Sequence, residues 1–312
     1  MKTVDILIPT YKPGKQFIEL IHALQKQLQP VHKIIVMNTE ARFWDEAVCR
    51  YPELQGISNL EVYHISQMEF DHAATRDTAM KLSDADICVC MTQDAIPYDE
   101  NMLAHLITPL EDEMVVVSYA RQLPSEDAGA VEAFTRSFNY PPEPRRKTLE
   151  DVETLGIKAF FCSDVCAAYN RTTYEKLGGF IAPAIFNEDM IFAAGAIKSG
   201  YAVYYAAEAK VVHSHNYTFM QQLRRNFDLA VSQAMHPEVF EGVSSEKEGK
   251  KMVLATCKHL IKVGKPFQIV RLVLQSGAKY IGYFLGKRYE KLSPEMINYL
   301  TGTPMYWKRN ER

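Results

Sequence analysis

The sequence contains no uninterrupted apolar run that approaches the roughly 20 residues needed to span a bilayer. It has neither a Walker-type phosphate loop nor a Gly-x-Gly-x-x-Gly motif, which excludes two widespread glycine-rich nucleotide sites. Its six cysteines are scattered and do not follow zinc-knuckle spacing, so neither a disulfide scaffold nor a structural zinc site is indicated. Because a core strand begins almost directly after Met1, we expect no signal peptide and a cytoplasmic protein.

Charge is distributed unevenly along the chain. Residues 244–312 hold 14 Lys or Arg against five Asp or Glu, which leaves 21 basic and 33 acidic residues in the rest. A basic segment of this kind binds an anionic partner, either a lipid surface or nucleic acid, or it is the solvated face of lysine-rich helices. We expect a main domain at 1–225 and a basic amphipathic helical region at 226–312.

Apolar periodicity predicts an α/β fold. The chain begins with a strand, a helix and a second strand, and this β-α-β unit implies a mostly parallel sheet flanked by helices. The predicted strands cover 4–9, 33–37, 60–65, 87–91, 114–119, 160–169, 201–205 and 210–213. The predicted helices cover 16–28, 73–82, 101–110, 171–177 and 189–200. Residues 123–152, rich in proline and charge, are predicted to be an irregular substrate-side loop.

Beyond residue 217 the pattern is helical throughout. In the first long segment, lysines mark the face opposite to Val253, Cys257, Leu260 and Ile261. A second segment at 269–289 carries basic residues beside tyrosine and phenylalanine. Such helices are typical of proteins that bind a membrane surface. Docking on a second subunit is the alternative interpretation.

Polar side chains follow several predicted strands at their carboxyl ends, where parallel α/β sheets bind ligands. Together these positions hold one aromatic ring, two carboxylates and two imidazoles. They are Thr10-Tyr11, Asn38-Thr39-Glu40, Thr92-Gln93-Asp94 and His213-Ser214-His215. A single polar residue at a strand end is commonly a helix cap, but four such ends on one rim favour a binding site.

Asp94 is a candidate metal ligand, because a hard divalent cation requires carboxylate oxygen and a nucleotide diphosphate can fill several remaining positions. The alternative is that Asp94 caps the turn that follows. His213 and His215 alternate along a strand end, so both could face one side and one could contact the metal or a phosphate. Otherwise they are hydrogen-bonded structural histidines.

Two helix starts carry further candidates. Asp189 could be the N-cap of its helix, or it could act as a general base, with Glu188 beside it. At the earlier helix, backbone N–H groups with His72 and Arg76 could neutralise phosphate. The alternative for Arg76 is a surface ion pair with a nearby aspartate.

These elements, in this order, resemble glycosyltransferase family 2, the inverting enzymes of the Rossmann-like GT-A fold, over roughly residues 1–225. Ile8-Pro9-Thr10-Tyr11 resembles the opening motif where the nucleoside docks. Thr92-Gln93-Asp94 lies where the family carries Asp-x-Asp, and Asp94 matches its metal-binding aspartate. Glu188-Asp189 resembles the Glu-Asp motif whose aspartate is the base, and Val211-Val212-His213 resembles the strand whose histidine completes the metal site.

Two segments are similar to the bacterial rhamnosyltransferase branch of that family: Phe70-x-His72-x-x-Thr75-Arg76 and His213-Ser214-His215-Asn216-Tyr217. That resemblance implies dTDP-L-rhamnose as donor and a lipid-linked saccharide as acceptor, in O-antigen or cell-wall polysaccharide synthesis. It also implies Mg²⁺ or Mn²⁺ as cofactor. The basic amphipathic helices agree independently with peripheral binding to the inner face of the cell membrane. Thr92 departs from the first aspartate of the metal motif.

The residue patterns and the resemblance together lead us to expect a role for each of several residues. Asp189 is the base, with Glu188 beside it, and the predicted metal ligands are Asp94, His213 and His215. Ser163 and Asp164 are placed on the acceptor side. The expected nucleotide-sugar site consists of Pro9, Thr10, Tyr11, Asn38, Glu40, His72, Arg76, Gln93 and Asp94.

Other functions remain open at this point. A family 2 enzyme with a UDP donor would show the same motifs. A nucleotidyltransferase is disfavoured, because its glycine-rich basic loop is replaced by Pro-Thr-Tyr-Lys-Pro-Gly. A non-catalytic lipid-binding module would explain the basic region alone, and a nucleic-acid role would leave the carboxylates unexplained. A homo-oligomer is compatible with the aromatic helices.

Overall fold

The computed structural model describes residues 2–243 and 245–310, and within the second range the side chains from residue 248 onward. The chain forms two compact units. The first consists of Met1–Leu123, Tyr140–Pro183 and Glu188–His213. The second consists of Pro124–Asn139, Ala184–Asn187 and Ser214–Arg312. Each unit is therefore assembled from segments that are distant in sequence.

A nine-stranded mixed sheet forms the centre of the first unit. Its order is β3-β2-β1-β4-β8-β6-β9-β5, with β7 paired to β9. Strands β1 to β4 are mutually parallel, β8 runs antiparallel to β4 and β6, and β6 runs parallel to β9. The strands are β1 (Val4–Tyr11), β2 (Lys33–Thr39), β3 (Leu60–Ile65), β4 (Ile87–Met91), β5 (Ile96–Pro97), β6 (Val115–Leu123), β7 (Arg145–Lys147), β8 (Cys166–Asn170) and β9 (Ala202–Val212).

The described α-helices are numbered along the chain, and α5 and α9 to α14 belong to the second unit. They are α1 (Lys15–Gln25), α2 (Ala41–Arg50), α3 (His72–Leu82), α4 (Met102–Ile107), α5 (Ala130–Asn139), α6 (Val152–Leu155), α7 (Arg171–Lys176), α8 (Glu188–Lys198), α9 (Phe219–Met235), α10 (Pro237–Phe240), α11 (Ser245–Lys262), α12 (Gln268–Gly286), α13 (Pro294–Leu300) and α14 (Pro304–Asn310). Within the described ranges, none of them combines the length and the hydropathy that a bilayer crossing requires.

Apolar side chains at helical spacing pack α1 against the central sheet of the first unit. Phe17, Leu20, Ile21 and Leu24 recur at helical spacing and are buried in the main apolar cluster together with residues of β1, β2 and β4. All five residues of β4 are buried, as expected for a central strand covered on both faces. The carboxyl ends of β1, β2 and β4 are thus held at one edge of a rigid sheet.

In the second unit, α9 and α12 pack with their backbones in close approach. A Cβ added at Gly282 would lie 2.1 Å from the carbonyl oxygen of Leu223, and one at Gly286 would lie 2.4 Å from that of Phe227. Only glycine fits at these two positions. Residue 225, the predicted domain boundary, lies inside α9.

A buried carboxylate joins α9 to the loop between α13 and α14. Asp228 Oδ1 accepts a hydrogen bond from Thr301 Oγ1 (2.6 Å), and Oδ2 accepts one from the Gly302 N–H (2.8 Å). Burial raises the pKa of Asp228 to about 6, although these donors act in the opposite direction. The loop therefore satisfies a group that would be costly to bury alone.

Several element predictions were wrong in detail. Residues 123–152 are not irregular throughout, because they contain α5 and β7. Val131 of α5 packs with Leu260 and Leu272 in an apolar cluster of the second unit, a long-range contact that local composition does not reveal. The strand predicted at 160–169 begins only at Cys166. The strands predicted at 201–205 and 210–213 are one strand, β9, which continues through small buried alanines with a register shift.

Candidate active site

The ends of β1, β2 and β4 come together as predicted. The Tyr11 N–H donates to Gln93 Oε1, and Gln93 Nε2 donates to the Tyr11 carbonyl, both at 3.1 Å. Thr10 Oγ1 donates to Asn38 Oδ1 at 3.2 Å. Pro9 lies next to them in β1, opposite Met37. The Tyr11 ring is 40% exposed, so this rim presents an accessible aromatic face.

Gln67 joins two of the predicted nucleoside residues and was missed by sequence reasoning. Its Nε2 donates to the Tyr11 hydroxyl (2.7 Å), and its N–H donates to Glu40 Oε1 (2.8 Å). Asn38 in turn donates to the Glu40 carbonyl (3.0 Å). Gln67 stands two residues after β3, so inspecting the end of every parallel strand would have found it.

Asp94 and His213 face each other, with 3.5 Å between Asp94 Oδ1 and His213 Nε2. His213 Nδ1 lies 3.1 Å from Gln122 Oε1. The amide nitrogen of Gln122 donates to Tyr140 OH (2.6 Å) and Ser163 Oγ (3.0 Å), which leaves its oxygen to accept from the imidazole. Gln122 thus selects the His213 tautomer that has its proton on Nδ1, and the lone pair of His213 Nε2 then points towards Asp94.

The donor set at this position fits a divalent metal. It offers one carboxylate oxygen and one imidazole nitrogen whose other ring atom is fixed by a hydrogen bond, the usual support of a metal-binding histidine. The Asp94 oxygen and the lone pair of His213 Nε2, 3.5 Å apart, repel each other, and a cation bound to both would stabilise them. His215 belongs to the second unit, and its role as a further ligand stays a prediction.

The first unit also contains a buried charge cluster. Arg76 is 6% exposed, and its guanidinium contacts Glu188 Oε1 (3.1 Å) and Asp164 Oδ2 (3.3 Å). The Asp164 N–H donates to Asp189 Oδ2 (3.1 Å), and Tyr169 OH donates to Asp164 Oδ1 (2.5 Å). Arg76 therefore holds the carboxylates of Asp164 and Glu188, and the N–H of Asp164 orients Asp189.

The cluster shifts the proton affinities of its members. Burial lowers the pKa of Arg76, but attraction to Glu188 and Asp164 outweighs this, so its pKa lies above the usual value. Burial raises the pKa of Asp164 to about 6 against the attraction of Arg76. Burial, followed by repulsion from Glu188 and Asp164, raises the pKa of Asp189 well above that of an ordinary carboxyl. Asp189 is therefore a stronger base than an exposed aspartate.

His72 opens α3 and stacks edge-on against Phe70, with ring centroids 5.2 Å apart. Asp71 caps that helix by accepting the N–H groups of Ala73 (3.1 Å) and Ala74 (2.9 Å), so these two donors already have a partner. Ser163 contacts Gln122, and Asp164 belongs to the buried cluster. No local pattern signals the long-range bonds from Arg76, because its two partners stand 88 and 112 residues further along the chain.

The sequence matches known proteins over most of its length. The model of glycosyl transferase family 2 matches residues 5–178. The O-antigen chain rhamnosyltransferase RfbN of Salmonella typhimurium is 36% identical over 308 residues, covering 97% of this chain and 96% of RfbN. The O-antigen chain rhamnosyltransferase WbaN of Salmonella anatum is 37% identical over 313 residues, covering 98% and 96%.

The fold is similar to that of solved glycosyltransferases. The mannosyltransferase PcManGT from Pyrobaculum calidifontis, solved in complex with GDP-Man and Mn²⁺, superposes with a TM-score of 0.57 over 99% of this chain and 87% of its own. Its sequence is 16% identical, so the likeness concerns the fold.

Proposed function

Because this chain belongs to glycosyl transferase family 2 and has the predicted GT-A fold, we propose that it transfers L-rhamnose from dTDP-L-rhamnose to a lipid-linked saccharide with inversion. The two full-length relatives named as O-antigen chain rhamnosyltransferases support this donor sugar and acceptor class. The product would belong to an O-antigen or a cell-wall polysaccharide. The observation that carries the proposal is that one unit contains both the facing pair of Asp94 and His213 and the partly buried Asp189 with its raised pKa.

The rim at Tyr11 would bind the nucleoside. The exposed Tyr11 ring offers a stacking face, and Gln67 holds both its hydroxyl and Glu40 in place. Asp94 and His213 would hold Mg²⁺ or Mn²⁺, and His215 stays in the proposal as a further ligand. When bound, that ion would supply charge stabilisation for the leaving diphosphate. His72 and Arg76 stay in the proposal as residues on the phosphate side.

Asp189 would remove the proton from the attacking acceptor hydroxyl. Its raised pKa suits this role, because a base is most effective when its pKa lies near the working pH. The Asp164 N–H fixes one oxygen of Asp189, and Arg76 balances the charge of Asp164 and Glu188. Asp164 and Glu188 would thus position Asp189, and Ser163 would border the acceptor.

Nucleotide binding is the first test. The thermal stability of the protein should rise with dTDP more than with UDP or GDP, and only when Mn²⁺ is present. A ligand at 100 times its dissociation constant adds about 2.7 kcal/mol, which is readily seen. Asp94→Asn should remove the Mn²⁺ dependence, and Asp45→Asn on the exposed face of α2 should not. A larger shift with UDP would support the alternative donor, and no shift with any nucleotide would contradict the transferase proposal.

We also propose that α11 and α12 bind the inner face of the cell membrane. Leu254, Ile261 and Phe267 are exposed, Phe267 to 91%, among the lysines of α11 and the following turn. Ile261 therefore lies on the lysine side, in contrast to the predicted apolar face. Apolar side chains ringed by lysine bind anionic interfaces. Co-sedimentation with vesicles rich in phosphatidylglycerol should fall strongly for Phe267→Asp and should be weak with phosphatidylcholine alone.

A non-catalytic lipid-binding module is the other function that the helices would permit. It would bind the same vesicles, but Asp189→Asn and Asp94→Asn would then have no effect on any activity of the protein. Transfer of radiolabelled rhamnose to a lipid extract distinguishes the two functions directly.

A further inference from the structure

The second unit contains a polar pocket of its own, formed by α5, the segment around residues 215–222 and α12. Six of its lining side chains bear on its function: Thr135, Gln222, Gln268, Arg271, Gln275 and Lys279. Four of these come from one face of α12, since positions 268, 271, 275 and 279 recur at helical spacing. Among the residues given a role above, His215 also lines this pocket, and the six side chains named here have no role so far.

Gln222 lines the pocket with an amide that has no protein partner. The residue is only 8% exposed, yet its side chain forms no hydrogen bond with any residue that the structure describes. Both amide atoms nevertheless remain accessible from the pocket. They can therefore offer a donor and an acceptor to a ligand.

The charge of the pocket is unbalanced. Lys279 is partly buried and forms no ion pair within the described part of the chain. Burial lowers its pKa, attraction to Glu132 opposes this shift, and the nearby Arg136 and Arg225 add to it. Glu132, the acidic side chain in the lining, is already bonded to Arg136 at 2.6 Å. With Arg271 on the same helix face, the pocket therefore carries net positive charge beside amide donors, an arrangement that favours phosphate.

Another side of α12 is apolar and exposed. Val270, Leu274 and Ile281 are each at least half exposed and lie roughly a third of a turn away from the pocket-lining positions. The helix, about 10 Å across, would thus separate a lipid-facing surface from the cationic pocket. In a lipid-linked saccharide, the phosphates occupy the corresponding place between the apolar chain and the sugars.

We propose that this pocket binds the phosphate or diphosphate group that joins lipid to saccharide in the acceptor, with Lys279 and Gln222 as its central contacts. The proposal rests on the proposed function for the identity of the acceptor. It assigns acceptor recognition to the second unit, in addition to the donor site of the first.

Steady-state kinetics of the full-length protein test this assignment. Lys279→Gln and Gln222→Leu should raise KM for a prenyl-diphosphate-linked saccharide about 10–100-fold, the effect of losing one charge-assisted hydrogen bond. KM for the donor should stay constant, as should KM for the same saccharide carried on a phosphate-free alkyl chain. Lys308→Gln, an exposed lysine of α14, is the matched control. Equal losses with both acceptors, or no loss with either, would overturn the proposal.

A binding measurement separates failure of the pocket from failure of the proposed function. In EDTA, which removes metal-dependent binding at the donor site, inorganic pyrophosphate and a short prenyl diphosphate should raise the melting temperature of the wild type. Lys279→Gln should lose this shift even if no donor yields transfer. A stronger shift with the prenyl diphosphate identifies the lipid-linked source, and an equal shift in wild type and variant excludes the pocket.

Discussion

Arg76 in the first unit and Lys279 in the second are both cations withdrawn from solvent, and their surroundings differ. Arg76 lies between Glu188 and Asp164, so its charge is balanced within the protein. Lys279 has no ion pair among the described residues, and the nearest acidic side chain of its pocket is bonded to Arg136. A balanced buried charge positions its neighbours, whereas an unbalanced one is available to a ligand. Three substitutions probe this contrast, and a fourth tests the helix packing of the second unit.

The largest effect on activity is expected for Asp189, which is oriented by the cluster around Arg76. Asp189→Asn should lower kcat by about 10²–10⁴-fold, the usual contribution of a general base. In the wild type, kcat/KM should fall as pH drops through the raised pKa of Asp189, at a higher pH than for an ordinary carboxyl. Rate measurements from pH 5 to 9 test both points, with Asp45→Asn as the exposed control. Near-wild-type turnover by a folded Asp189→Asn protein would remove Asp189 from the mechanism.

Removing the balanced cation should destabilise the fold. Arg76→Met leaves Asp164 and Glu188 buried without their counter-charge, and breaking a buried pair costs about 3–5 kcal/mol. Urea denaturation measures the change. Lys81→Met breaks the exposed pair with Asp77 (2.6 Å) on the same helix and should leave the midpoint unchanged. Similar losses of stability in Arg76→Met and Lys81→Met would show that the importance of the Arg76 ion pairs does not come from their burial.

The second unit depends instead on close helix packing. Gly282→Ala would place a Cβ 2.1 Å from the Leu223 carbonyl oxygen and should cost about 1–3 kcal/mol or more by overpacking. Gly277→Ala, on the same helix with no atom within 4 Å of the new Cβ, should instead stabilise by about 0.5–1 kcal/mol. Opposite signs in thermal unfolding are expected, and a tolerated Gly282→Ala would contradict the close approach of α9 and α12.

The smallest effect is expected for the unbalanced cation. Lys279→Met removes a charge that burial disfavours and that Glu132, already bonded to Arg136, offsets only in part. Stability should therefore stay within about 1 kcal/mol of wild type, on the side of a gain. The same urea series used for Arg76→Met gives the comparison. A loss as large as that of Arg76→Met would mean that Lys279 is held by protein groups and not reserved for a ligand.

The sequence was most informative where periodicity is strong and local. The strands at 60–65 and 87–91 have the predicted bounds, and the ends of β1, β2 and β4 meet as the parallel-strand rule requires. Asp94 and His213, 119 residues apart, were placed on one rim by the ends of their strands, and the family resemblance then assigned both to one metal.

Other features could not be predicted because they depend on tertiary contacts. Helix α5 is stabilised by packing of Val131 on helices that follow more than 100 residues later. The bond from Gln122 to His213 requires β6 to extend beyond its apolar stretch. Lys279 looks like one more surface lysine in the sequence, and only the fold turns it towards a pocket.

The bond between Asp228 and Thr301 has a consequence for synthesis of the chain. The ribosome delivers residues in order, so α9 leaves the exit tunnel while the donors for its buried carboxylate, 73 and 74 residues later, are still unmade. Until residues 301–303 emerge, Asp228 must remain hydrated and α9 cannot settle in its final environment. We therefore expect the helical unit to complete its folding only after residues 301–303 have been made, which is later than the synthesis of the last strand of the sheet.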